Sequence, residues 1–394
     1  MNIIIPMAGR GTRLRPHTLT VPKPLLRFAG KAMVEHIIDE IVLSLGDNNS
    51  DNNGSNSERS ARIDEIGFVC GHFGEDVEKK LIECAAAKGA RGHIFYQDEP
   101  LGTGHAVLCA EPLLKNEVVV AFADTLFIGG ENILSRAQRI QTATTVATAS
   151  ADRQTANIET TVDRNRSCSA SDAVSDAVAK NQPDAIIFTG KVENPQAFGV
   201  VVTDEVGRIS GFVEKPQVFI SDEAIIGIYY FRDGEILRRE LQNLIDTDFK
   251  RGKEYQLTDA LENMLGRKNI NFIKANVKEW LDCGNKNATE NTHSRLLEQK
   301  PNLHYISPNI TVNNSEIIPP CYIADGVTLE DAVIGPCVSL EKKSIIKKSS
   351  LKHSIVGQET IIENSTLTKS MIGSRAVIRN HNGEVSISDY SEIL

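Results

Sequence analysis

The sequence contains no tract of basic residues and no long apolar run. Its 394 residues carry a formal net charge of -9, which argues against duplex nucleic acid or an anionic membrane surface as the main partner. No secretory signal or membrane-spanning stretch is visible, because the first apolar run, residues 3–6, is short. The expected location is therefore cytoplasmic.

The cysteines form no CxxC pair. There are seven, scattered along the chain and odd in number, which argues against a disulfide framework or a zinc site and favours a reducing compartment. An acidic chain that binds phosphates must concentrate its positive charges locally. Lysines and arginines within glycine loops are therefore the candidates of interest.

Strand and helix patterns alternate over the first third of the chain. Very apolar runs at 66–70, 94–97 and 118–122 predict strands, while 75–88 and 105–114 predict helices. Apolar residues at helical spacing predict a further helix that ends at Gly46: Val34, Ile37, Ile38, Ile41, Val42 and Leu45. This alternation predicts an α/β domain with a mainly parallel sheet, whose ligands lie beyond the carboxyl ends of its strands.

A length of 394 residues indicates two domains. Two polar stretches interrupt the alternation of strands and helices in the first of them. Residues 47–62 are rich in Asn, Ser and Asp, and residues 142–184 in Ala, Ser, Thr and Asp. Residues 47–62 contain almost no apolar residue, and we predict that both stretches are surface insertions in the first domain. A short helix within residues 172–180 is the alternative for part of the second stretch.

From about Ile306 onward the pattern becomes repetitive. Residues 333–338, 355–361 and 371–377 resemble one another, each with an Ile-Gly or Val-Gly step. Aliphatic residues also recur every six positions, at Ile334, Leu340, Ile346 and at Ile355, Ile361, Leu367. A six-residue period predicts a triangular parallel β-solenoid, and short antiparallel strands are the alternative.

The strongest motif follows the first predicted strand: Pro6-Met7-Ala8-Gly9-Arg10-Gly11-Thr12-Arg13-Leu14-Arg15-Pro16, then Pro22-Lys23-Pro24-Leu25. Glycines let backbone N–H groups approach a phosphate, and Arg13 and Lys23 add positive charge. The motif lacks the GK[ST] of a P-loop and the spacing of a dinucleotide fingerprint. A glycine pair after a strand is, by itself, also compatible with a simple turn.

Gly9-x-Gly11-Thr12-Arg13-Leu14 with a downstream Pro22-Lys23-Pro24 resembles the signature of the nucleotidyltransferases that activate sugar 1-phosphates. The resemblance continues in order over about 280 residues, as expected of a true relative. The further matching segments are Gln97 with 101–106, 118–122 with Asp124, 192–195 with 198–201, 214–216 and 280–284.

The resemblance implies a Rossmann-like, mixed but mainly parallel nucleotidyltransferase domain, residues 1–295, followed by a left-handed parallel β-helix of hexapeptide repeats, residues 303–394. It also implies nucleoside triphosphate and sugar 1-phosphate substrates and Mg²⁺. The flat, apolar-backed faces of the solenoid stack readily, which predicts a homo-oligomer. The implied catalytic residues are Arg13, Lys23 and Lys215, and the implied nucleotide-binding residues are Ala8, Gly9, Gly11, Thr12, Gln97, Gly102 and Thr103. Gly199, Glu214 and Ile225 would bind the sugar, and Asp124 and Asp282 the metal.

Each assignment has a simpler structural alternative. Two carboxylates from separate segments can hold one Mg²⁺ against substrate phosphates, whereas a single aspartate is as well explained as a helix cap or turn residue. The neighbours Glu214 and Lys215 can be a solvated surface pair. Gly199 can be a strand bulge, and Ile225 a core residue of an apolar strand.

Two residues bear on the substrate. The Gln97 amide can match the edge of uracil or thymine, which favours dTTP or UTP. Ile225 stands where relatives that use N-acetylglucosamine carry an asparagine, which favours a plain hexose such as glucose. The alternatives are a mannose-1-phosphate guanylyltransferase, a bifunctional N-acetylglucosamine-1-phosphate uridylyltransferase and acetyltransferase, and an inactive regulatory homologue. For the acetyltransferase, His353 is a lone candidate base, expected as an exposed coil residue.

Overall fold

The computed structural model describes residues 1–9, 11–45, 63–130, 183–205, 207–266 and 270–394. The predicted insertion at 47–62, the predicted helix stop at Gly46 and all but the last two residues of the insertion at 142–184 lie outside these residues.

The first part of the chain alternates strands and helices. Its strands are β1 Asn2–Pro6, β2 Arg27–Phe28, β3 Lys31–Ala32, β4 Glu65–Cys70, β5 Arg91–Tyr96, β6 Val118–Ala121, β7 Thr125–Gly130, β8 Ala185–Lys191, β9 Gly199–Thr203, β10 Ile209–Glu214, β11 Glu223–Phe231 and β12 Phe272–Asp282. The helices of the described residues are α1 Met33–Leu45, α2 Glu75–Ala86, α3 Thr103–Leu108, α4 Gly234–Asp246, α5 Leu257–Gly266 and α6 Lys286–Gln299.

Ten of these strands form one mixed sheet in the order β5-β4-β1-β6-β11-β8-β12-β7, with β9 and β10 attached beside β11. Strands β5, β4, β1 and β6 are parallel, and β11 runs antiparallel to β6. Ile3, Ile4 and Ile5 are fully buried, as expected of a central strand covered on both faces. The predicted fold class is therefore confirmed for this part.

The helix predicted over 105–114 is shorter than expected. Helix α3 ends at Leu108, and a separate 3-10 turn follows at Glu111–Leu113. Pro112 lies in that turn, and a proline there cannot donate an α-helical hydrogen bond and would clash with the preceding turn of a continuous helix.

The last part of the chain is a parallel β-helix. Its strands form three parallel sheets, β13-β16-β19-β22-β25-β28, β14-β17-β20-β23-β26-β29 and β15-β18-β21-β24-β27. They are β13 Tyr305–Ile306, β14 Thr311–Asn313, β15 Glu316–Ile317, β16 Cys321–Ile323, β17 Thr328–Glu330, β18 Val333–Ile334, β19 Val338–Leu340, β20 Ile345–Lys347, β21 Ser350–Lys352, β22 Ser354–Val356, β23 Ile361–Glu363, β24 Thr366–Thr368, β25 Met371–Ile372, β26 Val377–Arg379, β27 Asn382–Gly383, β28 Ser386–Ile387 and β29 Glu392–Ile393. The predicted β-helix is confirmed, and the antiparallel alternative is wrong. The domain limits 1–295 and 303–394 stay predictions.

The strict six-residue period does not hold, because every coil is shorter than three hexapeptides. Partner residues on successive coils are Tyr305 and Tyr322, then Ile355 and Met371, then Met371 and Ser386, so the coils shorten from 17 residues to 16 and 15. Three strict hexapeptides would need 18. Ile334, Leu340, Ile346 and Leu367 point inward as predicted, but Val356 and Ile362 point inward in place of the predicted Ile355 and Ile361, which precede them by one position. The predicted phase is wrong at these two positions, because neighbouring strand residues face opposite sides.

Buried hydroxyl groups join the coils where the sheets meet. Ser349 Oγ accepts a hydrogen bond from the backbone N–H of Ser365 at 3.1 Å, and Ser354 Oγ accepts one from Ser370 at 3.2 Å. Ser344 Oγ donates to the Gly357 carbonyl oxygen at 3.0 Å. These bonds satisfy backbone groups at the corners, where strand pairing is interrupted.

Helix α6 packs the β-helix against the sheet domain. His293 and Ser339 are 2.7 Å apart (Nε2 to Oγ), and Ser294 Oγ lies 3.2 Å from His353 Nδ1. Ile355 belongs to the same buried core as Ile3. The prediction that His353 is an exposed coil residue is wrong, since it is half-buried in this interface.

No helix in the described part of the chain combines the length and the apolar character needed to cross a bilayer.

Candidate active site

The segment after β1, residues 7–23, is called the glycine loop below. Gly11 has a φ of 60° and precedes a 3-10 turn at Thr12–Leu14. A Cβ on Gly11 would lie 3.1 Å from Lys23 Cβ and 3.2 Å from Thr18 Cγ2, and Thr18 Oγ1 donates to the Gly11 carbonyl oxygen at 2.8 Å. The left-handed backbone and the close neighbours both explain a glycine here.

Lys23 ends the glycine loop and begins a 3-10 turn, Lys23–Leu25. Its side chain is only 11% exposed, and its Nζ lies 3.4 Å from Oδ2 of Asp124. Asp124 itself follows strand β6, next to the end of β1 in the sheet. The structure therefore places a shielded positive charge beside a carboxylate at the carboxyl ends of two neighbouring strands.

A second wall of the site comes from the segment that precedes α3. The Gln97 side-chain amide donates to the Gly102 carbonyl oxygen at 3.0 Å. A Cβ on Gly102 would lie 2.5 Å from the Tyr255 carbonyl oxygen, and Thr103 Oγ1 accepts a hydrogen bond from the Leu257 backbone at 2.9 Å. Residues 254–257, which no sequence pattern had indicated, thus hold this wall in place.

Between the two walls lies a cleft of about 410 Å³. Ten of the predicted site residues line it, namely Ala8, Gly9, Gly11, Thr12, Arg13, Lys23, Gln97, Gly102, Thr103 and Asp124. Glu254 and Gly284 also line it and were not predicted. Backbone groups of the glycine loop and two cationic side chains therefore face one concave surface, an arrangement suited to a polyphosphate.

Asp124 and Asp282 come from neighbouring strand ends. Asp282 is paired with Thr125 between β12 and β7, and the Cys283 backbone donates to the Asp124 carbonyl oxygen at 3.3 Å. Asp282 Oδ1 accepts from the Gly284 N–H at 2.8 Å. Burial, opposed by the Thr292 hydrogen bond and the Lys23 charge, raises the pKa of the Cys283 thiol to about 12. The two carboxylates at these strand ends therefore lie near a protonated thiol and the Lys23 ammonium group.

The three predicted sugar-binding residues form a separate cluster. A Cβ on Gly199 would lie 2.9 Å from Glu214 Oε2 and 3.5 Å from Ile225 Cδ1. Thr258, which the sequence interpretation missed, donates to Glu214 Oε2 at 3.2 Å. Because β9, β10 and β11 are neighbours in the sheet, residues 199, 214 and 225 meet on one surface.

Lys215 follows β10 with a φ of 45°. Its side chain is 64% exposed, and its Nζ is 3.8 Å from Glu214 Oε1. Lys215, Asp282 and the sugar-binding cluster do not line the cleft that contains the glycine loop. The structure thus brings ten predicted site residues together in one cleft and three in the predicted sugar-binding cluster. Lys215 lies on the solvent-exposed side of that cluster.

The sequence was compared with family models and known proteins. The family model described as nucleotidyl transferase matches residues 2–49 and 166–299. The chain belongs to the nucleotidyltransferase family. The expectation that it is a nucleotidyltransferase enzyme is thereby confirmed.

Several curated proteins are similar to this nucleotidyltransferase over most of its length. The glucose-1-phosphate thymidylyltransferase of Streptomyces antibioticus is 26% identical over 377 residues, 91% of this chain and 88% of that protein. The bifunctional protein GlmU of Halalkalibacterium halodurans is 26% identical over 374 residues, 90% of this chain and 68% of that protein. The mannose-1-phosphate guanylyltransferase catalytic subunit beta of Xenopus tropicalis is 26% identical over 243 residues, 61% of this chain and 52% of that protein.

Proposed function

We propose that this nucleotidyltransferase transfers a nucleotidyl group from a nucleoside triphosphate to a hexose 1-phosphate and releases pyrophosphate. The observation that carries the proposal is the cleft in which Arg13, Lys23 and Asp124 face the glycine loop. The neighbouring group of Gly199, Glu214 and Ile225 offers a carboxylate and an apolar side chain to a sugar.

The chemistry requires alignment and charge neutralisation. A sugar phosphate oxygen attacks the α-phosphorus in line and is already anionic at neutral pH, so no side chain has to remove a proton from it. In the proposal, Arg13 and Lys23 stabilise the negative charge of the departing pyrophosphate. Lys215 orients the sugar phosphate, and Glu214 accepts hydrogen bonds from sugar hydroxyls.

The residues present fit Mg²⁺. Asp124 has one oxygen near Lys23, and Asp282 has one oxygen bound to the Gly284 N–H, so each carboxylate keeps a second oxygen for a ligand. The described residues contain no group of three or more His, Cys, Asp and Glu side chains around one point. Two carboxylates supplemented by substrate phosphates are a usual Mg²⁺ environment. We propose that Asp124 and Asp282 hold the ion, which would neutralise phosphate charge.

The proposed substrates are dTTP or UTP and glucose 1-phosphate. The Gln97 Nε2 donates to the Gly102 carbonyl oxygen and lies 3.2 Å from His105 Nδ1, so Oε1 is the group left to accept an N–H from a base. Thymine and uracil offer such an N–H, and so does guanine, which keeps GTP as a competitor. Ile225 Cδ1 points toward the Gly199 backbone and cannot accept a hydrogen bond from an acetamide, which supports a plain hexose.

The alternatives have less support. His353, the candidate base of an acetyltransferase, lies against Ser294 in the interface with α6. An inactive homologue would be expected to lack a residue of the proposed machinery, but Arg13, Lys23, Asp124, Lys215 and Asp282 are all present. The homo-oligomer stays a prediction.

A pyrophosphate-release panel tests the proposal. It crosses dTTP, UTP, GTP, ATP and CTP with glucose, mannose, glucosamine and N-acetylglucosamine 1-phosphates. We expect turnover with glucose 1-phosphate and a thymine or uracil nucleotide. Arg13→Ala should lower turnover by roughly 100-fold, whereas Arg15→Ala, a matched variant in the same loop outside the cleft lining, should retain it. The absence of pyrophosphate with every pair would contradict the proposal.

A further inference from the structure

Much of the glycine loop is attached to the rest of the molecule by few polar contacts. In the part of the chain that the structure describes, the backbone hydrogen bonds of residues 11–21 begin and end within that segment, as between Leu14 and Gly11 or His17 and Leu14. Buried Leu14 and partly buried Val21 pack into the core. Apolar packing of this kind is not directional, so it fixes the position of the loop less sharply than hydrogen bonds do.

Among the described residues, two hydrogen bonds leave this segment, and both end on the last coil of the β-helix, residues 386–393. His17 Nε2 lies 3.1 Å from Ser386 Oγ, and Thr20 Oγ1 donates to Asp389 Oδ2 at 2.8 Å. The other carboxylate oxygen of Asp389 accepts from the Ser374 backbone N–H at 2.7 Å. One oxygen of the Asp389 carboxylate is therefore bound within the β-helix, and the other contacts the glycine loop.

The contact at His17 is a bond between neutral groups. Its side chain is 5% exposed, and this burial, partly opposed by Asp389, lowers the pKa of His17 to about 4. The ring is therefore uncharged at neutral pH. A buried neutral imidazole requires a hydrogen-bond partner, and the last coil supplies it through Ser386.

The same end of the β-helix also contacts the Asp282 segment. Lys286, the first residue of α6, donates to the Lys369 carbonyl oxygen at 2.5 Å and pairs with Glu384 at 3.3 Å. Lys286 follows Asp282 by four residues. The two segments that carry the proposed phosphate and metal ligands are therefore both tied to the end of the β-helix.

We propose that Ser386 and Asp389 are positioning residues, through which the last coil of the β-helix fixes the glycine loop in its nucleotide-binding geometry. This inference rests on the proposed function, because it assumes that the loop binds the nucleotide phosphates. Thr12 and Arg13 line the cleft and lie within eight residues of both contacts. Small displacements of such groups lower the rate of an aligned reaction.

The proposal predicts an effect on one substrate only. The sugar-binding cluster lies on strands β9 to β11, which are held by sheet hydrogen bonds and, in the described part of the chain, make no hydrogen bond with the last coil. Loss of the two contacts should therefore weaken the use of the nucleotide and leave the Michaelis constant for the sugar phosphate nearly unchanged.

The experiment uses the full chain with the double variant Thr20→Val and Ser386→Ala. Asp389 is left intact because its second oxygen belongs to the β-helix. Ser391→Ala is the matched control, since Ser391 lies on the same coil and its side chain makes no described hydrogen bond to the loop. Thr20→Ser in place of Thr20→Val restores one hydroxyl. Thermal midpoints and separate Michaelis constants for the nucleotide and the sugar phosphate are measured for each protein.

We expect kcat/KM for the nucleotide to fall by roughly 10-fold in the double variant, which loses two hydrogen bonds, with less than about a 2-fold change in KM for the sugar phosphate. Thr20→Ser should restore part of the loss, and Ser391→Ala should behave as wild type. Unchanged nucleotide kinetics would overturn the positioning role, and so would a loss shared equally by both substrates with a lowered thermal midpoint. If the wild-type protein forms no pyrophosphate with any substrate pair, the result contradicts the proposed function rather than the positioning role.

Discussion

Replacing Gly11 by alanine tests how the glycine loop is built. The residue has a φ of 60°, and an added Cβ would lie 3.1 Å from Lys23 Cβ and 3.2 Å from Thr18 Cγ2. A left-handed conformation costs an alanine about 1–2 kcal/mol, offset by about 0.4–1 kcal/mol because alanine restricts the unfolded chain. Crowding against two side chains should add about 1 kcal/mol. We expect a total destabilisation of about 2 kcal/mol.

Gly89→Ala is the matched control for the backbone contribution alone. Gly89 has a φ of 73°, and an added Cβ would meet nothing within 4 Å. It lies outside the cleft lining, so its replacement should lower stability by only about 1 kcal/mol and leave turnover unchanged. The difference in unfolding free energy between the two variants measures the cost of crowding the added methyl group at position 11 against Lys23 and Thr18.

Chemical denaturation provides the assay. The chain has a single tryptophan, Trp280, which lies in β12 of the sheet domain, so its fluorescence reports the unfolding of that domain. Gly11→Ala should also lower nucleotide turnover by roughly 10-fold, because Lys23 has to move away from the added methyl group. If Gly11→Ala is as stable as Gly89→Ala and fully active, the packing argument for this loop is wrong.

Three further predictions concern charge. Lys23→Met should lower pyrophosphate formation by roughly 100-fold with little change in the denaturation midpoint, and equal activity would exclude Lys23 from the cleft chemistry. Asp282→Asn should raise the Mg²⁺ concentration for half-maximal turnover by about 10-fold, measured by titration with the metal; an unchanged titration would place the ion elsewhere. Burial lowers the pKa of His293 to about 3, so the unfolded state binds more protons and stability should fall as the pH falls below about 6.5. His293→Gln should reduce that slope by up to about 1.4 kcal/mol per pH unit, and an unaltered slope in urea titrations would contradict the assignment.

Features set by neighbouring residues could be predicted from the sequence. The apolar run that forms β1 and the glycines after it are local signals, and so is the repeated aliphatic-glycine step of the β-helix. Helix α1 follows directly from the spacing of its apolar residues. In each case the physical cause, a buried face or a special backbone angle, lies within a few positions of the residue concerned.

Contacts between distant segments could not be predicted in this way. Thr258 contacts Glu214, which is 44 positions away in the sequence, and Leu257 contacts Thr103, which is 154 positions away. Neither contact corresponds to a periodic pattern in the sequence. The inward positions Val356 and Ile362 were mispredicted because the steps between inward residues of the later coils vary between five and six positions. His353 was misjudged since its burial depends on α6, an element from the other part of the chain.

The contact between Ser386 and His17 constrains the number of coils in the β-helix. Successive coils of a parallel β-helix are about 4.8 Å apart, so an inserted or deleted coil would carry Ser386 one full layer past His17, beyond hydrogen-bonding reach. Solenoids generally tolerate gain and loss of repeats, because each repeat contacts only its neighbours. In this protein, the stack of coils would accommodate a duplicated coil, but the contact between Ser386 and the His17 side chain of the glycine loop would be lost. We therefore expect the number of coils between α6 and Ser386 to change little in evolution.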